Sequence, residues 1–212
     1  MTDRYPMFPL QSALLPGETL PLRIFEPRYS RLVADCLAAA DPVFGVVLIS
    51  RGMEVGGGDV RSEVGALARI THCADLGAGL YELLATVGER IRVRQWLPDD
   101  PYPLAAVEIW PDEAGPEVSD ERIGDVVDRI LRLYARVEQV HGGRLRPDAL
   151  AVDAETAEDP SRHVYTLASR VPMGPADRYA VLAAPTLGAR VDALVDAIDT
   201  VTAMVEFQLS EE

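Results

Sequence analysis

Three histidines, two cysteines and twenty arginines are the side chains of this 212-residue sequence with the widest chemical reach, and their spacing restricts what they can do. His72 stands beside Cys73 while Cys36 lies far upstream, so the paired ligand spacing of a structural zinc site is missing. Free thiols that pack as small apolar groups are the simpler expectation. His141 closes a helical stretch, where a cation suits the helix dipole. Ser161 and His163 are two residues apart at a helix start and face different ways, which is no geometry for a catalytic pair. No G-x-S-x-G run occurs. All twenty basic residues are arginine and none is lysine, which excludes a Schiff base, a Ser–Lys dyad and a P-loop within these residues. Gly56-Gly57-Gly58 precedes a strand pattern and not a helix N-terminus, so it reads as a hairpin tip. These residues predict no catalytic group, no cofactor and no metal site.

The alternation Arg90-Ile91-Arg92-Val93-Arg94 sets three guanidinium groups on one face of a strand. Two readings stay open. The groups either pair with carboxylates on a solvated face, or form a stripe for an acidic peptide or a nucleic-acid backbone. Against nucleic acid stand 34 acidic residues and a net charge of −14, which repel phosphate and anionic lipid. Interleaved aromatic residues are also missing, Trp96 being the one close by.

Several elements must position these groups. Tyr5-Pro6-Met7-Phe8-Pro9-Leu10 reads as an extended segment, and its prolines suggest an edge strand. Leu14-Leu15-Pro16-Gly17 is a turn signal, followed by a half-buried strand over Leu20 to Phe25. Glu26-Pro27 opens a helix whose apolar face carries Tyr29, Leu32, Val33, Cys36, Leu37 and Ala40, stopped by Asp41-Pro42. Val43 to Ile49 is an unbroken apolar run, as expected of a strand buried on both faces. Strands follow over Val64–Cys73, Leu80–Val87 and Ile91–Trp96, with a further segment over Tyr102–Trp110. Many short strands with one inserted helix and no regular β–α alternation favour a closed or partly closed barrel.

The text turns helical near residue 113, which predicts two domains, 1–116 and 117–212. Ile123, Val126, Val127, Ile130, Leu131, Tyr134 and Val137 trace one stripe after Ser119. Residues 144–159 are acidic and weakly patterned. Asp159-Pro160 starts the next helix, and a short one covers Ala176 to Ala184. Thr186 caps the last, with Leu187, Val191, Leu194, Val195, Ile198, Val201, Thr202 and Val205 on its apolar face. The start of the chain lacks the plan of a signal peptide, and no apolar run approaches the roughly 20 residues of a membrane span. A cytoplasmic protein is expected.

The N-terminal text also carries a resemblance. Phe8-Pro9-Leu10 and the run Leu15-Pro16-Gly17-Glu18-Thr19-Leu20-Pro21-Leu22-Arg23-Ile24-Phe25-Glu26-Pro27-Arg28-Tyr29 resemble the opening signature of the Lon N-terminal (substrate-binding) domain family. Phe44 to Val47, Glu63 to Ile70, Val87 to Val93, Pro101 to Val107 and the helical end Val171 to Val205 continue it. One departure is Ala66, where the family's V-G run continues with threonine. The resemblance implies an α+β fold: a PUA-like β-barrel with an inserted helix, then a C-terminal α-helical bundle. In the full-length proteases of that family the domain precedes ATPase and Ser–Lys protease modules and helps capture unfolded or tagged substrates. Here it implies a stand-alone, non-catalytic form.

The expected function is therefore protein or peptide binding. The partner would be an unfolded or tagged polypeptide, or a protease or chaperone. Leu14, Leu15 and Leu20 around the Pro16-Gly17 turn, with Tyr29, are the candidate contacts, unless they merely close the end of the barrel. RNA or nucleotide binding through Arg90, Arg92 and Arg94 is the alternative. A hydrolase would require one of the histidines to meet a nucleophile and a carboxylate in a cleft.

Overall fold

Among the described residues all strands belong to one sheet, and one long strand gives that sheet its shape. The computed structural model describes residues 3–51, 60–141, 150, 152, 156 and 158–210. Two compact units divide it, Met1–Pro111 and Asp112–Glu212. The first contains β1 (Asp3–Leu10), β2 (Thr19–Ile24), α1 (Pro27–Ala38), β3 (Val43–Arg51), β4 (Val60–Gly77), β5 (Leu80–Leu97) and β6 (Leu104–Ile109). β1 lies parallel to β3 and antiparallel to β6. β3 pairs β4, β4 pairs β5 and β5 pairs β6, so five strands return on themselves in a ring. β2 joins only the first half of β5 and leaves its other edge open.

Sequence reading splits β5 into two strands at Val87-Gly88-Glu89-Arg90, but the strand runs through. Ala68 pairs with Val87 and Ala66 with Arg90, so β5 inserts one extra residue there. Such a bulge reverses which residues face which side. Before it, Leu83, Ala85 and Val87 join Tyr29, Leu32, Val33 and Cys36 of α1 in one core. After it, Ile91 and Val93 point with Met7, Val47, Leu67, Ala105 and Val107 into the ring. Phe44 and Val46 of β3 face the first core while Val43 and Val47 face the second, which is why the run Val43–Ile49 is apolar at every position. Gly65 permits a close approach between β4 and β3, since a Cβ there would fall on the carbonyl oxygen of Val46.

The edge strand is β2 and not β1, which lies between β3 and β6. Pro6 precedes the first β1–β3 partner pair, Met7 with Gly45, and Pro9 lies beyond the β6 ladder, which ends at Pro6 with Leu104. Both missing N–H groups thus fall outside the paired stretch on their own side. Pro21 does mark a true edge. Val87 N–H donates to Glu18 O, and by alternation the backbone of Thr19, Pro21 and Arg23 faces the open side.

The second unit contains α2 (Asp120–His141), α3 (Pro160–Ser169), α4 (Pro175–Ala183) and α5 (Leu187–Ser210). Asp159 accepts from the amides of Ser161 and Arg162 at 3.0 and 3.2 Å, and Thr186 Oγ1 accepts from Ala189 N–H at 3.1 Å, as N-caps do. Arg122 pairs with Asp192 and Arg129 with Asp199, the same offset in both cases, so α2 and α5 run parallel. Arg136 and Glu206 stand one heptad further along the same groove. On α2 the buried face is Ile123, Val126, Ile130 and Leu133; Leu131, expected on it, is exposed. Residues 112–116 go with the helices, ahead of the expected boundary at 116/117. Glu113 N–H donates to Pro185 O, and Asp112 accepts from Arg190. Arg190 is fully buried, donates also to Ser161 Oγ at 2.8 Å and lies 3.9 Å over the Tyr165 ring. Among the described residues no helix is long and apolar enough to cross a membrane. Gly56–Gly58, residues 144–149 with most of 150–157, and the side chain of His141 lie outside the described residues.

Candidate functional site

The first set of candidate contacts lies in or against the core. Leu15, Leu20 and Tyr29 are core residues, and Leu14 is half-buried against them. The turn that follows Leu14 and Leu15 is pinned shut. Leu15 N–H donates to Glu18 Oε2 at 2.8 Å and Gly17 N–H to Val87 O at 2.8 Å, with Gly17 at φ +93°. Alternation in β2 points Leu20 and Ile24 toward α1, and Tyr29 stacks on Phe8 with ring centroids 4.1 Å apart. Leu15, Leu20 and Tyr29 pack between the helix and the sheet.

The three arginines do share a face, but each is engaged. Arg90 is buried; its Nε donates to Trp110 O at 2.9 Å and its Nη2 to Pro111 O at 3.1 Å. The Arg90 and Arg92 guanidiniums lie 4.1 and 3.6 Å from the centroid of the Trp110 ring. Arg94 pairs with Glu108, whose carboxylate is held below its usual range by that hydrogen bond. Trp110 was invisible as a partner in sequence because its contact depends on β6 returning beside β5.

An open apolar face lies elsewhere, on the side of the β2–β5–β4 extension away from α1. Two cross-strand rows cover it: Pro21, Leu84 and His72, then Arg23, Glu82 and Ala74. They line a depression of about 460 Å³. Leu84 is 42 % exposed, and Phe25, Leu76 and Leu80 stand exposed at the end of the same three strands. Within the ring this side of β4 and β5 is the packed interior; past the ring it faces solvent. Local charge nearly cancels, since Arg23 and Glu82 sit 3.8 Å apart on the surface. A wide apolar surface next to an unpaired strand edge can take an extended chain by side-chain contact and main-chain hydrogen bonds together. Sequence offered one signal for it. In Glu82-Leu83-Leu84-Ala85-Thr86, Leu84 is apolar in the polar phase of the strand.

Other titratable groups serve the fold. Tyr102 OH donates to Asp35 Oδ2 at 2.9 Å, and Arg31 Nε donates to the same carboxylate at 3.0 Å. Arg31 holds the Asp35 carboxyl below its ordinary range, while burial and the Asp35 bond push Tyr102 up to about 12. Burial pushes the Cys36 thiol up to about 12, which makes it inert, and raises Cys73 as well. His163 is pushed down by burial and Arg170, while Ser161 accepts from Arg190. Among the described residues no group of three or more His, Cys, Asp or Glu could hold a metal ion.

Comparison with known proteins finds relatives of this chain. The family model of the ATP-dependent protease La (LON) substrate-binding domain matches residues 4–200. A Lon protease of Roseiflexus castenholzii is 28 % identical over 178 residues, 84 % of this chain and 21 % of that protein. Lon protease 2 of Sorangium cellulosum is 30 % identical over 125 residues, 58 % of this chain and 15 % of that one. The chain thus spans about a fifth of the length of these curated relatives. The crystal structure of a Lon N-terminal domain protein from Xanthomonas campestris aligns with a TM-score of 0.65 at 25 % identity, covering 92 % of this chain and 98 % of that one. The N-terminal domain of Mycobacterium avium complex Lon protease shares the fold with a TM-score of 0.61 at 16 % identity, covering 93 % and 98 %.

Proposed function

Because this chain belongs to the family of the Lon substrate-binding domain, we propose that it is a non-catalytic module that binds polypeptide on the open face of β2, β5 and β4. The strand ring is then a PUA-like barrel with α1 inserted, and the four helices are its C-terminal bundle. The observation that carries the reading is the exposure of Leu84, Phe25, Leu76 and Leu80 together beside an open strand edge. A folded protein keeps such a grouping when something else covers it part of the time. An unfolded or tagged polypeptide supplies both the apolar side chains and the free main chain that this surface takes. Holding such a chain for a protease or chaperone in the cytoplasm is the role the family relation favours. The reading through Arg90, Arg92 and Arg94 loses its support, because Trp110 and Glu108 already occupy those guanidiniums.

Titration with a labelled, reduced, unfolded polypeptide tests this by anisotropy. The expected result is saturable binding at about 10–100 μM that falls about tenfold or more in Leu84→Asp and changes little with salt. Binding that Leu84→Asp leaves intact, or that collapses with salt and follows Arg94→Ala, would contradict it.

A further inference from the structure

We propose that the exposed apolar face of the second half of α5 is a docking strip for an amphipathic helix with basic flanks, distinct from the polypeptide face proposed on β2, β5 and β4. Arg190, Ala197 and Met204 lie on one line of α5 at heptad spacing. The first two are buried at 0 % and 1 % exposure, whereas Met204 is 63 % exposed. Apolar character continues from the buried part of this line onto residues that are exposed. Thr200, Ala203, Met204, Phe207 and Gln208 follow at spacings of three and four residues and line a depression of about 570 Å³. Phe207 is 62 % exposed. The strip is about 12 Å long by helical rise, which is two turns of a partner helix and room for anchors at i, i+3 or i+4, and i+7.

Charge selects the occupant. Beyond Arg190, which is enclosed with Asp112, every charged residue described on α5 is acidic: Asp192, Asp196, Asp199 and Glu206. Asp192 and Asp199 face the arginines of α2, and Glu206 stands one heptad beyond them with Arg136, which leaves Asp196 at the head of the strip. Residues 112–212 hold 20 of the 34 acidic residues against ten arginines. A second copy of the chain would set these carboxylates against one another, and like charges across an interface disfavour it. A helix with lysine or arginine beside its apolar face meets them with the opposite sign. An extended chain gains no main-chain partners here, since a helix has its own amides satisfied.

The test uses the full chain and two labelled peptides of about five helical turns, with the same leucine face and flanks of either lysine or glutamate. The lysine-flanked peptide is expected to bind saturably at about 10–100 μM, the glutamate-flanked one about tenfold or more weakly. Met204→Ser with Phe207→Ser is expected to cost about tenfold or more, and Asp196→Asn about twofold. Leu84→Asp is expected to leave this binding unchanged, so its failure and that of the polypeptide reading are told apart. Equal binding of both peptides, absence of saturation, or loss in Leu84→Asp alone would overturn the proposal. So would a self-associated chain that Met204→Ser with Phe207→Ser returns to monomer.

Discussion

Leu83 and Leu84 are neighbours on β5 with opposite fates: the first is 3 % exposed against α1 and the second 42 % exposed. Their difference separates the two faces of the β2–β5–β4 extension. The inner face, with Leu20, Ile24, Ile70 and Ala85, is the load the fold buries to hold its one inserted helix. The outer face repeats the apolar character at the exposed Leu84, and there stability gains little from it. Where a sheet is apolar on both sides and covered on one, the uncovered side is the place to look for a partner.

Substitution can break that contrast directly. Leu83→Ala is expected to cost about 2–4 kcal/mol, the loss of a buried leucine plus its cavity, whereas Leu84→Ala should stay within about 0.5 kcal/mol. Denaturant midpoints with unchanged m-values would check it, and the binding titration should rank the two in reverse once both are folded. Equal midpoints would mean that the two faces are not different environments.

Alkaline pH sharpens the same contrast on the inner side. Cys36 and Tyr102 both sit at about 12 in the folded chain, above the ordinary 9.0 and 10.0 of a thiol and a phenol. Folding holds each in its protonated form, so the stability is fully present below pH 9 and is lost as pH rises toward about 12. Midpoints measured across that window are expected to fall, with a shallower fall in Tyr102→Phe. At neutral pH a thiol reagent should modify Cys73 well before Cys36, which reacts only on unfolding. The smallest effect belongs to the second unit. Arg129→Ala should cost no more than about 1 kcal/mol, since its pair with Asp199 is exposed, and the cost should shrink in high salt.

Periodicity and punctuation made much of this molecule legible before its coordinates. The residues Tyr29, Leu32, Val33 and Cys36 of α1, the doubly buried β3 and the caps at Asp159 and Thr186 lie where spacing places them, because each depends on its own neighbours in sequence. Ring closure does not, for it depends on β5 serving different partners on either side of one extra residue at Gly88-Glu89. Mistaking that bulge for a break also concealed which face Leu84 takes. Pro6 and Pro9 misled for a related reason: proline excludes an amide, and only the ends of neighbouring strands reveal whether that amide was needed. Leu15, Leu20 and Tyr29 suggest contacts in sequence by the same apolar character that makes them core.

Hydrogen exchange of the full chain, with and without a saturating unfolded polypeptide, bears most directly on where a partner sits. Slower exchange is expected along 19–25, 72–76 and 80–84, with the amides on the open side of β2 changing most, and none along 90–94. Protection confined to 90–94, or a bound complex that leaves all three stretches as they were, would contradict the assignment of this face.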